Sequence, residues 1–233
     1  AGYNEIQHMN MLFLNFMSDT IDTRTPLRFT MVANHGAKLD LSSSAYLTFV
    51  KQLKAHQILI DPTLSIFENM FVATKGKPSP TYEMIVDRLP LMNQRSYYKG
   101  GLPKPVDGSS RYDLAHERML DVVYDLYKKG VAIVLGTDGL PGFLYHRELE
   151  LFVKAGIPIH EVLKMATINA AEITGVAEAY GSIEVGKQAD LILISGNPLE
   201  RISNIRKVLW TIQGGYLYEA EALYASMGIE KFN

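Results

Sequence analysis

Asp138 closes the segment Val131-Ala132-Ile133-Val134-Leu135-Gly136-Thr137-Asp138-Gly139, five apolar residues followed by a carboxylate in a glycine-flanked turn. An apolar run bounded by Gly130 and Gly136 suits a strand covered on both faces. α/β proteins place their chemistry at such C-terminal strand tips. A carboxylate there can bind a metal or take a proton from water; it can equally fix the turn or cap the next helix. His8 ends a shorter strand candidate, Ile6-Gln7-His8-Met9-Asn10. From there it can project toward the same end as Asp138, or serve as a hydrogen-bonded structural residue. His146 stands eight residues after Asp138. In the first turn of a helix it can orient a substrate, or cap that helix and pair with Glu148 or Glu150.

The other histidines carry less. His56 closes a helix, where the dipole accounts for it; His116 and His160 lie in helices away from strand tips, and His35 in a polar loop. Glu148, Glu150 and Lys154 read as a solvated helix face. Met9, Met11, Met17, Phe13 and Phe16 read as core packing. Gly139-Leu140-Pro141-Gly142 lacks the Lys-Ser/Thr of a phosphate loop, no Gly-x-Gly-x-x-Gly follows a strand, and no Gly-x-Ser-x-Gly occurs. With no cysteine in the chain, thiolate catalysis and cysteine-ligated zinc are excluded. The 23 basic residues are scattered and the net charge is −2, so nucleic acid is not an expected partner. No apolar run is long enough to span a membrane and no leader pattern opens the sequence, so a soluble protein is expected, its compartment open.

The elements that would position these groups alternate. A strand ending at His8 is followed by an apolar stretch, Met11 to Met17, readable as helix or loop. Residues 18–41 form a polar excursion. Ser42 caps a helix that runs through Ala45, Leu47, Phe49, Val50 and Leu53 to about His56, and Ile58-Leu59-Ile60 is the next strand. Residues 64–110, rich in proline, form a long insert of the kind that lines or covers a site. Leu114, Met119, Leu120, Val123 and Leu126 repeat at helical spacing between Tyr112 and Lys129, ahead of the strand that carries Asp138. Two helices, 145–155 and 159–174, end at Gly156 and Gly175. Strands at 190–194 and 208–213 then make a small β unit before the Gly214-Gly215 turn. The 233 residues therefore divide into an α/β part, 1–178, and a β segment with a tail, 179–233.

Taken together these residues resemble the amidohydrolase superfamily, in particular its imidazolonepropionase-like and prolidase-like branch. Gly2-Tyr3-Asn4-Glu5-Ile6-Gln7-His8 is similar to the sixth barrel strand with its metal-binding histidine, and Gly136-Thr137-Asp138 to the eighth strand with its aspartate. His146-Arg147-Glu148-Leu149-Glu150-Leu151, Ala155-Gly156-Ile157-Pro158 and Ala166-Thr167-Ile168-Asn169-Ala170-Ala171 resemble the stretch after that aspartate. Gly181-Ser182-Ile183-Glu184-Val185-Gly186-Lys187-Gln188-Ala189-Asp190-Leu191 and Asn197-Pro198-Leu199 resemble the return into a small β domain. The resemblance implies a (β/α)8 barrel, of TIM type, holding one or two divalent metals, commonly zinc. It implies His8 as a metal ligand, Asp138 as metal contact and general base, and hydrolysis of an amide bond by an activated water.

The first-strand His-x-His pair, the fourth-strand Lys or Glu and the fifth-strand His of that family are absent from this sequence. A full barrel takes roughly 250 residues, and here three strand candidates occupy residues 1–139. The expectation is the C-terminal part of a barrel, about its last three strands, with a piece of a small β-sandwich domain. It would come from an enzyme acting on a peptide-like or cyclic amide small molecule, with His146, Gly142 and Phe143 shaping the substrate end. Two metal contacts fall short of a usual hydrolytic site, so the chain alone is expected to be inactive and its metal absent. The alternative is a noncatalytic fragment or binding module that keeps the fold without metal chemistry. Strands supplied from elsewhere would leave an open sheet edge and favour self-association.

Overall fold

Three extended segments run side by side in one direction and set the frame of the α/β part. The computed structural model describes residues 4–17, 22–139 and 142–230. Gly2 and Tyr3 of the opening motif, residues 18–21 of the polar excursion, and Leu140 and Pro141 of the turn after Asp138 lie outside the described residues. Strand β1 (Glu5–Gln7) pairs in parallel with β2 (Leu59–Asp61), Ile6 opposite Ile60. On its other side Ile60 donates to the Ala132 carbonyl at 3.0 Å and accepts from Val134 N–H at 3.0 Å. Ile133 makes an isolated parallel bridge to Ile60 rather than a full strand. β2 is thus the middle of the three, and Ile60 is fully buried.

The helices of this part are α1 (Met9–Leu14), α2 (Leu27–His35), α3 (Ser44–Ala55), α4 (Leu64–Phe71), α5 (Leu91–Tyr97), α6 (Arg111–Lys128), α7 (Phe143–Ala155), α8 (Ile159–Met165) and α9 (Ile168–Ile173). Long α6 contributes Ala115, Met119, Val122, Val123 and Leu126 to one core with Phe13 of α1, Val32 of α2, Tyr46 of α3, Phe67 and Phe71 of α4, and Phe152 of α7. Burial of such side chains contributes about 1.5–3 kcal/mol each. Among the described residues no helix is long and apolar enough to cross a membrane.

Several local expectations change. Of the stretch Met11 to Met17, read as helix or loop, the part up to Leu14 is helical, in α1, and residues 15–17 are a turn. The cap of α3 is Ser43, whose hydroxyl accepts from Tyr46 N–H at 3.3 Å, and not Ser42, which bonds Asp40 instead. The polar excursion contains α2, whose Val32 and Ala33 join the core. The first turns of the 64–110 insert are the core helix α4. Only the stretch beyond Phe71 is insert-like, and a second cluster of Tyr82, Ile85, Leu89, Phe143, Leu144 and Ile229 closes it. Leu114 points to solvent although it fits the helical repeat. The 159–174 helix breaks at Thr167, which leaves helical geometry at φ −132° and ψ −96°.

The β unit is an antiparallel sheet of β3 (Leu191–Ile194), β4 (Val208–Gln213) and β5 (Tyr216–Glu219), followed by α10 (Ala220–Ser226). Gly214 and Gly215 take φ of 57° and 83°. That left-handed pair matches the twist a two-residue hairpin requires. The β5 strand and α10 were not expected from the sequence. The sheet keeps Ile192, Leu193, Leu209, Tyr216 and Leu217 exposed.

Candidate functional site

Each of the three parallel segments ends in a residue whose backbone is driven left-handed. His8 follows β1 with φ 67°, Thr63 follows β2 with φ 46°, and Asp138 follows the 131–135 segment with φ 45°. Non-glycine residues rarely adopt this region, and it costs on the order of 1–3 kcal/mol at each position. Tertiary hydrogen bonds hold it: His8 N–H donates to the Asp61 carbonyl at 2.7 Å, and Met9 N–H to the Pro62 carbonyl at 3.0 Å.

These turns bring the side chains together. His8 Nε2 lies 3.8 Å from Asp138 Oδ2. The other ring nitrogen, Nδ1, is 3.0 Å from the buried Thr63 hydroxyl, and Phe67 meets the ring edge-on at 6.5 Å between centroids. Asp138 is half open to solvent and His8 partly so. The sequence reading put His8 and Asp138 at strand tips, and the structure brings their side chains within 3.8 Å of each other at one end of the sheet.

Asp61 is a second acidic group at this end, and the sequence reading gave it no role. Its Oδ1 is buried without a partner. Burial, then the Glu5 charge, raises its carboxyl above the ordinary range, against the Gly136 amide, His8 and the Thr63 amide, which lower it. Gly136 is required here, because a Cβ on it would stand 2.1 Å from Asp61 Oδ2. The available signal was the carboxylate ending the apolar run Ile58-Leu59-Ile60-Asp61, the same pattern that drew attention to Asp138.

Behind the cleft lies a buried polar layer. Glu148 is completely buried, and its two oxygens accept from Leu64 N–H at 2.7 Å and Ser65 N–H at 2.8 Å, the first amides of α4. Burial pushes its carboxyl up to about 8, against the helix amides that favour the charge. Glu68 of α4 takes a bidentate pair from Arg147 at 2.8 and 2.6 Å, and the Thr81 hydroxyl at 3.0 Å. Arg147 also reaches Glu150 at 2.9 Å, and Glu150 accepts Arg206 at 2.6 and 3.1 Å, tying α7 to the β unit. Glu148 and Glu150 are therefore not a solvated helix face. Their polarity is matched internally by a helix start and two guanidiniums, which periodicity along α7 cannot reveal. His116 is buried beside this layer, and burial depresses its imidazole to about 4.

His146, Gly142 and Phe143 sit elsewhere. They line a cavity of about 540 Å³ with Leu89, Asn93 and Tyr224, and neither His8 nor Asp138 is part of its wall. Gly142 has φ 81° and its carbonyl accepts His146 N–H at 3.0 Å at the start of α7. Burial, then the Arg206 charge, lowers the His146 imidazole to about 4, so it is neutral at neutral pH.

The sequence model of the amidohydrolase family matches residues 14–215. The chain belongs to the amidohydrolase family. That span includes Asp138 and His146; His8 precedes it. A 5-methylthioadenosine/S-adenosylhomocysteine deaminase from Teredinibacter turnerae is 40% identical over 87 residues, 32% of this chain and 20% of that protein. A probable imidazolonepropionase from Xenopus tropicalis is 35% identical over 82 residues, 34% of this chain and 19% of that protein. The aligned region thus spans about a fifth of the length of these curated relatives. Among solved structures, a Xaa-Pro dipeptidase with bound methionine in its active site superposes with a TM-score of 0.53 at 26% identity, over 80% of this chain and 39% of that one. An ochratoxinase from A. niger superposes at 0.51 and 26%, over 74% and 34%. A bottromycin amidohydrolase at 17% identity and TM-score 0.51 shares the fold, over 84% of this chain and 46% of that one.

One imidazole and one carboxylate, His8 Nε2 and Asp138 Oδ2, face each other across the cleft, and both are donor types that zinc accepts. No group of three or more His, Asp or Glu side chains is placed to hold a metal among the described residues. His8 and Asp138 are two donors of a type that a metal takes, and no third stands with them among the described residues.

Proposed function

We propose that this chain is the C-terminal portion of a metal-dependent amidohydrolase, contributing about the last three strands of a (β/α)8 barrel and part of a small β-sandwich domain. The reaction we assign is hydrolysis of a C–N bond in a peptide-like or cyclic amide. The approach of His8 Nε2 to Asp138 Oδ2 at 3.8 Å, from the tips of two parallel segments flanking β2, carries this reading. His8 and Asp138 would hold the metal, and zinc is the ion we expect. The chemistry a divalent metal supplies in such a place is a water acidified toward neutrality and a polarised carbonyl. Asp138, largely exposed, would be the general base of this site. His146, Gly142 and Phe143 would bound the substrate side through the cavity they line, with a neutral imidazole as its polar group.

Support for the substrate class comes from the relatives' names: an imidazolonepropionase, a deaminase and a Xaa-Pro dipeptidase all denote work at C–N bonds. Two donors do not complete a hydrolytic site, so the chain alone should be inactive, with the remaining ligands coming from further strands. Such strands would join at the two sides of the parallel sheet, beside β1 and beside residues 131–135.

Elemental analysis of protein purified without chelator tests the reading. Near-stoichiometric zinc, lost in His8→Ala and Asp138→Ala, is expected once the chain is extended N-terminally with a barrel's missing strands, together with hydrolysis within a panel of dipeptides and cyclic amides. Neither metal nor hydrolysis in the extended protein would sink it. The second reading, a binding module without metal chemistry, is favoured by the two-donor count and predicts that negative result.

A further inference from the structure

The cavity beside His146 differs from its surroundings in charge. Its volume of about 540 Å³ is that of a small-molecule site. Leu89, Phe143 and Ile229, all buried, supply apolar wall. Its polar side chains besides Tyr224 are Asn93 and His146, and burial with the Arg206 charge keeps that imidazole neutral at neutral pH. No Asp, Glu, Lys or Arg lines it among the described residues. The charges of this region gather in a second cavity of about 440 Å³, which carries Arg88, Arg201, Arg206, Lys207 and Glu221. Tyr224 belongs to both walls.

Tyr224 is fixed by several contacts. Its ring stacks on Phe143 at 5.9 Å between centroids and 20° between planes, and the Arg88 guanidinium lies 5.3 Å from its centroid. Its carbonyl accepts Ile229 N–H at 2.9 Å. Glu230 N–H donates to the Arg88 carbonyl at 2.9 Å, and Arg88 Nε returns a bond to the Glu230 carbonyl at 2.6 Å. Residues 224–230 are thereby clipped to the insert at Arg88 and to the start of α7 at Phe143. The cavity so gains two near-parallel aromatic rings held in place, and a third flat ring can join them at little ordering cost. Asn93 and Met227 are exposed members of the wall, so the cavity opens to solvent on their side.

We infer that this cavity binds an uncharged aromatic group, and that Tyr224 is the residue that sets this preference. A charged group entering it would give up water without meeting an opposite charge on the wall. The purpose of the site rests on the amidohydrolase reading above: the occupant is then a ring-bearing side group of the amide substrate. Gly142 of this wall follows Asp138 by four residues, a span of at most about 14 Å, which is the reach of a short peptide.

The test uses the chain itself without metal, with methyl-labelled Met, Leu and Ile observed by NMR. Signals of Met227, Leu89 and Ile229 are assigned by Met227→Leu, Leu89→Ile and Ile229→Val. Benzamide should shift these methyls saturably in the native chain, while benzoate, benzylammonium and acetamide bind at least roughly tenfold more weakly. In Tyr224→Leu, which keeps bulk without the ring, benzamide should bind roughly three- to tenfold more weakly, and in Tyr224→Phe as in the native chain. No saturable shift by benzamide in the native chain overturns the proposal, whether or not the variants fold. So does benzoate, benzylammonium or acetamide binding as well as benzamide. Unchanged benzamide affinity in folded Tyr224→Leu overturns the role of Tyr224. An N-terminally extended protein without metal or hydrolysis sinks the enzyme reading alone, since benzamide binding still decides the cavity assignment.

Discussion

Replacing Glu148 by alanine should be among the most damaging single changes in the chain. The side chain is completely buried, and its two oxygens accept the first two amides of α4, Leu64 and Ser65, which are buried as well. Truncation orphans both donors, at about 1–3 kcal/mol each, and leaves a small cavity. A loss of roughly 3–6 kcal/mol is expected, a large part of the roughly 5–15 kcal/mol typical of a domain. Glu148→Gln keeps one acceptor but turns an amide N–H₂ toward the other backbone N–H, so its loss should be about half as large. Urea unfolding monitored by far-ultraviolet circular dichroism measures both, provided the slope m is unchanged. Hydrogen exchange at Leu64 and Ser65 should accelerate in the alanine variant before it does elsewhere in α4. A drop below about 1 kcal/mol for Glu148→Ala, with those amides still protected, would refute the view that this carboxylate holds the helix start and the Thr63 turn.

Stability should peak at about pH 6.5, where two opposed titrations meet. Glu148 keeps its proton to about 8 in the fold but loses it at about 4.3 unfolded, so stability falls as pH rises through that window; His116 and His146, held to about 4, resist protonation that the unfolded chain accepts below about 6.5, so stability falls on acidification. A melting-temperature profile should show both limbs, with the alkaline one flattened in Glu148→Gln, and a profile rising steadily through pH 8 would contradict this. Gly136→Ala should cost about 1–3 kcal/mol by overpacking, because its Cβ would stand 2.1 Å from Asp61 Oδ2; native-like stability would show that the turn has room to shift. Arg206→Ala removes the bidentate partner of Glu150 but leaves it Arg147, and should cost about 1–3 kcal/mol. Arg24→Ala, in an exposed pair with Asp22, should leave the same melts unchanged.

Much of this was legible in the sequence. The apolar run ended by Asp138 located that strand tip, because a parallel strand covered on both faces must be apolar and its C-terminal end is where a polar group can emerge, whereas the strand ending at His8 has Ile6 as its one apolar residue and was only a short candidate. Helices α6 and α7 could be read from their repeats, glycine stops and basic last turns. What periodicity could not supply was any pairing between distant segments. Glu148 and Glu150 fit a solvated pattern, yet Glu148 is buried and Glu150 half-buried, since their partners include backbone amides 83 and 84 residues away and the Arg206 guanidinium of the β unit, besides Arg147 on α7 itself. Asp61, as the end of a strand, resembled a stop signal until the Gly136 turn was folded against it. The Thr63 hydroxyl reaches His8 across 55 residues. The left-handed turns that aim His8, Thr63 and Asp138 go against their local preferences, and only the packed sheet and the bonds across it make them stable. The residue types at the cleft were therefore a property of the sequence, while their convergence, and the separation of His146 from them, were decided by the tertiary structure.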